Sequence, residues 1–150
     1  MSYGAAIALS IGLCGVALAA TPQQTIESRQ ANFKAMGTAF KGINDELKKD
    51  TPDAALVRAN ARKMKDLSAQ LPKWFPKGSG PETGSKTGAL PVIWTDGAGF
   101  AKASNDLGAE IDRLQQAAGS SDLSALRAQV RATGAACKSC HQTFREPDKR

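Results

Sequence analysis

The chain is poor in histidine, with one residue, His141, in 150. Catalytic histidine pairs, histidine-based zinc sites and haem ligation by two histidines all need a second one, so the sequence excludes them. Runs of five like charges are also missing, although 20 Lys and Arg against 14 Asp and Glu give a net charge of +6. No nucleic-acid-binding tail is therefore predicted. Because the sequence also contains no glycine-rich phosphate loop and no hydrolytic set of side chains, we expect no enzymatic turnover.

Charged side chains are absent from the first 20 residues. Within them Ala5–Leu18 is apolar but short for a membrane span. It runs into Ala17–Ala20, small residues at a spacing that signal peptidase accepts. We expect residues 1–20 to be a cleaved signal peptide, and the mature protein to be exported, periplasmic and free of the membrane. An uncleaved membrane anchor and a lipoprotein modified at Cys14 are the alternatives.

Strand signals are nearly absent, and four stretches have the period of amphipathic helices. Their start signals are Thr21 with Pro22, Thr51–Asp53, Thr95–Asp96, and Ser121. The first helix is predicted to run to about Lys49. Its apolar seam is Ile26, Gln30, Phe33, Gly37, Phe40, Asn44 and Leu47.

The other three helices also have apolar faces. In the second helix the face is Leu56, Val57, Met64, Leu67 and Leu71. In the third it is Phe100, Ser104, Leu107, Ile111 and Leu114, and in the fourth Leu123, Leu126, Val130, Thr133, Cys137, Cys140 with His141, and Phe144. A long connection, Leu71–Asp96, holds four prolines and is anchored by Trp74, Phe75, Ile93 and Trp94. The predicted fold of residues 21–150 is all-α, an antiparallel up-down four-helix bundle.

The segment Cys137–His141 reads Cys-Lys-Ser-Cys-His, the C-x-x-C-H signature of c-type haem attachment. The spacing sets the two thiols about one helical turn apart, so that both can add across the haem vinyl groups. His141 follows directly and can supply an axial nitrogen to the iron. We therefore predict one covalently attached haem c.

Three other interpretations of this segment stay open. A zinc site would have three ligands rather than four after leader cleavage. A thioredoxin-like redox pair would be expected near a βαβ unit, which this helical chain lacks. An accidental match would leave a haem-free helical binding module.

Little in the sequence can fill the second axial position of the iron. After leader cleavage the chain keeps two thioethers, Met36 and Met64. Phe33, at the centre of the first seam, cannot bind iron. Gly37, one turn on, would leave room between helices for a flat cofactor.

These features together resemble the cytochrome c′ family of class II c-type cytochromes, whose members fold as four-helix bundles. The resemblance covers essentially all of the mature chain. It depends on Arg29-Gln30, Leu71-Pro72, Ile93–Asp96, and the C-x-x-C-H motif close to the C-terminus with Phe144-Arg145 behind it.

The resemblance implies that Cys137 and Cys140 hold the haem and that His141 is the only protein ligand to the iron. Phe33 matches the distal apolar position, which is commonly Leu in the family and is the ligand Met in low-spin relatives.

Three further polar residues are matched by the resemblance. Arg29 and Gln30 correspond to positions near the haem propionates, and Arg145 to a basic residue beside the proximal face. The alternatives are that the two arginines are solvated surface charges and that Gln30 is a buried polar group of the seam.

In function, the resemblance implies a five-coordinate, high-spin iron that binds NO and CO, transfers electrons, or does both. The alternative is a six-coordinate, low-spin electron carrier with Met36 or Met64 as sixth ligand. Expected partners are an acidic redox protein and a second copy of the chain. The homodimer contact would use Ala31, Ala35, Thr38 and Ala39.

Overall fold

The computed structural model describes residues 20–147, so the predicted signal peptide up to residue 19 and residues 148–150 of the predicted domain lie outside it. Residues 20–147 form four long helices and one helix of a single turn. They are α1 (Pro22–Glu46), α2 (Ala54–Ser68), α3 (Val92–Thr95), α4 (Gly97–Ala118) and α5 (Leu123–Phe144). Two 3-10 turns, Leu71–Trp74 and Pro81–Thr83, lie in the long connection between α2 and α3.

Local side chains fix where the helices begin. At α1 the Gln24 N–H donates to the Thr21 hydroxyl while the Thr21 N–H donates to the Gln24 side-chain oxygen, which forms a capping box. At α5 the prediction of Ser121 as the cap is wrong. The first amides of a helix have no acceptor within the helix, and Asp122 stands three residues before one of them. Its carboxylate accepts from the Ala125 N–H at 2.9 Å.

The first helix also ends earlier than predicted, at Glu46 rather than Lys49. The Glu46 side chain is 4% exposed and accepts the Asp53 N–H at 3.0 Å. Asp53 in turn caps α2 by accepting from Ala55 and Leu56. The turn between α1 and α2 is therefore held closed by one buried carboxylate.

The long helices pack in sequence, α1 on α2, α2 on α4 and α4 on α5. This arrangement confirms the predicted four-helix bundle. The first and last helices meet at one end, where the Arg127 guanidinium donates to the Leu47 carbonyl and the Phe40 ring lies against Gly134. Towards the other end they line opposite sides of a cavity.

Of the four predicted anchors of the long connection, two are buried, and Phe75 and Trp94 are half-buried against the core. Trp74 and Ile93 are 8% and 5% exposed, and the Trp94 indole N–H donates to the Phe75 carbonyl at 3.2 Å. The end of the connection pairs with the residues after α5 through an antiparallel bridge between Ala89 and Arg145. The connection is thus tied to the helix that carries the C-x-x-C-H motif.

Two leucines predicted on apolar faces are exposed instead, Leu56 at 43% and Leu123 at 41%. The buried face of α2 consists of Val57, Ala61 and Met64, and Leu56 lies beside it on the solvent side. Leu123 is the first residue of α5, one turn before the first buried residue of that helix.

The small residues predicted for a homodimer contact do not share one surface. Ala39 is 2% exposed and belongs to the core, whereas Ala31 and Thr38 are exposed. Within residues 20–147 no helix combines the length and the hydropathy that crossing a bilayer requires.

Candidate functional site

A cavity of about 510 Å³ lies between α1 and α5, with the end of the long connection along its edge. Its size and mostly apolar walls are typical of cofactor sites. All seven residues predicted for the site line it. They are Arg29, Gln30, Phe33, Cys137, Cys140, His141 and Arg145.

The predicted seam of α1 is divided between the cavity and the core. Four of its members line the cavity, namely Gln30, Phe33, Gly37 and Phe40. The buried core face of α1 is Ile26, Met36, Ala39 and Ile43. The apolar stripe of α1 is therefore wide enough to serve two surfaces, and the predicted seam covers only part of it.

The two cysteines of α5 are half-buried and both line the cavity. Burial raises the pKa of the Cys137 thiol, and the neighbouring Cys140 raises it further. Burial also raises the pKa of Cys140. Both are therefore protonated thiols at neutral pH, the form that adds across a carbon–carbon double bond, and one turn apart they fit a haem with two vinyl groups.

The register of α1 and α5 sets the level of the residues across the cavity. The contacts of Leu47 with Arg127 and of Phe40 with Gly134 both join residues whose numbers add up to 174. Since antiparallel α-helices rise equally per residue, the same register places Phe33 level with His141. Both residues line the cavity.

Gly37 stands one turn further along α1 on the cavity side. A Cβ built at this glycine would have no other atom within 4 Å. The cavity is therefore open beside the α1 backbone, as the prediction of room for a flat cofactor requires.

Arg29 is a buried cation at the wall of the cavity, with 3% exposure. Its guanidinium donates to the Trp74 carbonyl, the Ser79 hydroxyl and carbonyl, and the Thr87 hydroxyl at 3.0–3.3 Å. It also stacks 4.5 Å from the centre of the Phe75 ring. Burial lowers its pKa, an effect that the charge of Glu82 partly offsets.

Gln30, like Arg29, joins α1 to the long connection by a hydrogen bond. Its side-chain amide donates to the Lys86 carbonyl at 3.0 Å. Together with the Arg29–Thr87 hydrogen bond, this holds residues 86–87 at the edge of the cavity.

One side of the cavity is aromatic. Phe33 meets Trp74 edge-on with ring centres 5.0 Å apart, and Phe75 lies 6.1 Å from Phe33. From Phe75 the contacts continue to Phe100 at 4.8 Å and from there to Phe144 at 5.3 Å. Apart from Phe33, the sequence predicts these residues only as anchors of the connection or as members of apolar helix faces. The adjacent aromatic pair Trp74-Phe75 is the sequence signal that indicates an aromatic cluster here.

Two thioethers also reach the cavity. Met36 and Met64, 5% and 0% exposed, belong to the core and lie at its lining. Across residues 20–147 no three metal-ligating side chains come close enough to hold a metal ion.

Comparisons with known proteins agree with this arrangement. A family model described as Cytochrome C′ matches residues 24–145. The cytochrome c′ of Alcaligenes xylosoxydans xylosoxydans is 37% identical over 85% of this chain and 97% of its own length.

Solved structures match equally well. The crystal structure of cytochrome c′ from Thermochromatium tepidum has a TM-score of 0.78 at 28% identity, covering 85% of this chain and 98% of its own. A nitric oxide complex and a carbon monoxide-bound variant of cytochrome c prime from Alcaligenes xylosoxidans each give a TM-score of 0.76 at 32% identity. Both cover 85% of this chain and 98% of theirs.

Proposed function

The chain belongs to the cytochrome c′ family, and from this premise we propose that it binds nitric oxide and carbon monoxide at a five-coordinate haem iron and also transfers electrons. Proteins of this family carry one covalently bound haem c. Two findings support gas binding, the cavity geometry and the nitric oxide and carbon monoxide complexes of similar proteins.

The observation that carries the proposal is that His141 on α5 and Phe33 on α1 line the same cavity. Cys137 and Cys140 would hold the haem by thioether bonds, and His141 would give its imidazole nitrogen to the iron. Phe33, level with His141 on α1, would cover the other face. A phenyl ring excludes water there and offers the iron no lone pair.

Ferrous haem iron binds diatomic gases and exchanges single electrons. The residues of this chain decide which gas is held. The rings of Phe33, Phe75 and Phe100 contain no hydrogen-bond donor, and bound O₂ needs one because its charge is separated. NO and CO are less polar and tolerate such a wall.

Absorption spectroscopy of the haem-loaded protein tests the proposal. We expect a high-spin spectrum that changes on addition of CO to the reduced protein. His141→Ala should keep the covalently attached haem, seen as a haem stain after denaturation, but lose the wild-type spectrum. Gln142→Ala, an exposed neighbour, is the matched control and should behave as wild type. A His141→Ala spectrum identical to that of wild type would contradict the proximal role.

The alternative is a six-coordinate electron carrier, and one observation favours it, since Met36 and Met64 line the cavity. A low-spin spectrum with a sulfur-to-iron charge-transfer band would support it. In that case Met36→Leu or Met64→Leu should convert the iron to high spin, whereas the five-coordinate proposal expects neither substitution to do so.

We further propose that Arg29 and Gln30 recognise the haem propionates and that Arg145 lies beside the proximal face. All three line the cavity. Arg29 takes part in none of the ion pairs found in residues 20–147 and its hydrogen-bond acceptors are all neutral, so a propionate would add a second negative charge to that of Glu82. Arg29→Met should therefore lower the reduction potential in a redox titration, because the lost positive charge had stabilised the ferrous state. An unchanged potential would argue against this role.

Export to the periplasm and cleavage of the leader are also proposed. The mass of the protein from a haem-attaching host should correspond to a chain beginning at Ala20 or Thr21 with one haem added. Retention of Cys14 in that chain would contradict cleavage.

The mature protein keeps the net charge of +6, because the leader has no charged side chains. This charge favours an acidic redox partner. Reduction by negatively charged ferrous EDTA should slow as salt rises, and a rate independent of salt would count against such a partner.

We also propose a homodimer through α1 and α2, with the exposed Ala31 and Thr38 at the contact. Sedimentation should show a dimer at micromolar concentration. Monomer alone would end this proposal.

A further inference from the structure

We propose that Trp74, which does not line the cavity, controls how fast gases reach the iron by holding the Phe33 ring in place. The proposal depends on the proposed function, in which Phe33 covers the distal face. It assigns to Trp74 the part of a positioning residue that acts only through Phe33.

The geometry places Trp74 behind Phe33. The two rings meet edge to face, with centres 5.0 Å apart and planes at 85°. Phe33 lines the cavity and Trp74 lies in the core with 8% exposure. The indole therefore occupies the space into which the Phe33 ring would have to withdraw.

Trp74 is itself held on its backbone. It ends the 3-10 turn that begins at Leu71, and its carbonyl accepts from the buried Arg29 guanidinium at 3.3 Å. The next carbonyl, that of Phe75, accepts from the Trp94 indole N–H at 3.2 Å. These contacts come from α1 and from α3, so the position of the indole is fixed from two directions.

Side chains in a closely packed core move only where neighbouring space permits. On one side Phe33 has the cavity, and on the other it has Trp74, with Phe75 at 6.1 Å. A smaller side chain at 74 would open a space behind Phe33 and let its ring leave the distal face. Gas entry would then become faster although no cavity-lining residue had changed.

A double-mutant cycle on CO association with the reduced, haem-loaded protein tests this. Trp74→Leu should accelerate CO binding on the order of tenfold, within the range of coupling between residues in contact. Phe33→Ala should accelerate it as well. In the Phe33→Ala background, Trp74→Leu should have no further effect, because the ring on which it acts is gone.

Leu114→Ala is the matched control, since Leu114 is a fully buried core side chain of α4 that does not line the cavity. We expect its CO association rate to equal that of wild type. A crystal structure of Trp74→Leu gives a readout independent of gas binding, and it should show the Phe33 ring moved into the vacated space. If Trp74→Leu does not fold, Trp74→Phe makes the same test with a smaller vacated space.

The outcomes separate this inference from the function on which it depends. A wild-type protein that binds no CO would overturn the proposed function. If wild type and Phe33→Ala behave as expected while Trp74→Leu leaves the rate and the Phe33 ring unchanged, only the role of Trp74 is refuted. Equal acceleration by Trp74→Leu in both backgrounds would also refute it, because Trp74 would then act by another route.

Discussion

Replacing Arg29 by alanine should cost this protein a large part of its stability. The substitution removes a guanidinium that joins α1 to the long connection by four hydrogen bonds and a stacking contact. It leaves two buried backbone carbonyls, those of Trp74 and Ser79, without this donor. Thr87 retains its contact with the Ala89 N–H.

The expected magnitude follows from what is lost and regained. Hydrogen bonds to a charged group contribute about 1.5–3 kcal/mol each, but they are not additive. Part of the loss is offset, because the variant no longer keeps a cation away from water. A buried acceptor left without its donor costs about 1–3 kcal/mol, and two such carbonyls remain, so we expect a loss of about 2–5 kcal/mol. It is a large share of the roughly 5–15 kcal/mol that stabilises a domain.

Urea unfolding of the haem-loaded protein measures this loss of stability. We expect the urea concentration at the midpoint to fall, while the dependence of the free energy of unfolding on urea concentration stays unchanged. Arg29→Lys should recover only part of it, since an ammonium group cannot reproduce the planar fork or the stacking on Phe75. Arg58→Ala, at an exposed position of α2, is the control and should change the free energy of unfolding by less than about 0.5 kcal/mol.

The competing interpretation of Arg29 as a solvated surface charge predicts the same small change for both arginines. A loss below about 1 kcal/mol for Arg29→Ala would refute the reasoning from burial.

Three other predictions concern the cavity and the acidic side chains. Gly37→Leu should reduce haem attachment, measured as haem stain per protein, whereas Gly108→Leu, which also has open space at its Cβ, should attach haem normally. The hydrogen bond from Lys49 holds the pKa of the Glu46 carboxyl below its ordinary value of 4.5. Glu46 therefore adds to the free energy of unfolding above pH 4.5, and this stabilisation is lost as the pH falls through the pKa of the folded protein. Glu46→Gln should therefore flatten the fall of the urea midpoint in acid, and an equally steep fall would contradict this. Hydrogen bonds from its lysine neighbours lower the pKa of Asp45 to about 2, and an NMR titration should find that midpoint at low salt and a higher one near 1 M salt.

Several elements of this protein follow from local sequence. The capping box at Thr21, the acidic caps at Asp53 and Asp96, and the C-x-x-C-H motif each span at most five residues, so they can be read without the fold. Asp122 shows the limit of this reading, because two adjacent residues were both suitable caps and only the geometry chose between them.

All seven residues predicted for the site line one cavity, and their roles there stay predictions. What each does there was not determined by the sequence. The partners of Arg29 are 45 to 58 residues away along the chain, and no local pattern specifies which hydroxyls and carbonyls will surround it.

The division of α1 into a core face and a cavity face is likewise a tertiary property. Periodicity shows that Phe33 and Met36 both point away from water, but it does not show which neighbour each one meets. That depends on the register of α1 against α5 and on the long connection bringing Trp74 and Phe75 behind Phe33. The sequence alone therefore determined the helices and the haem attachment motif, because these depend on nearest neighbours in the chain. The tertiary structure decided the aromatic wall and the buried cation, because their contacts join segments that are distant in sequence.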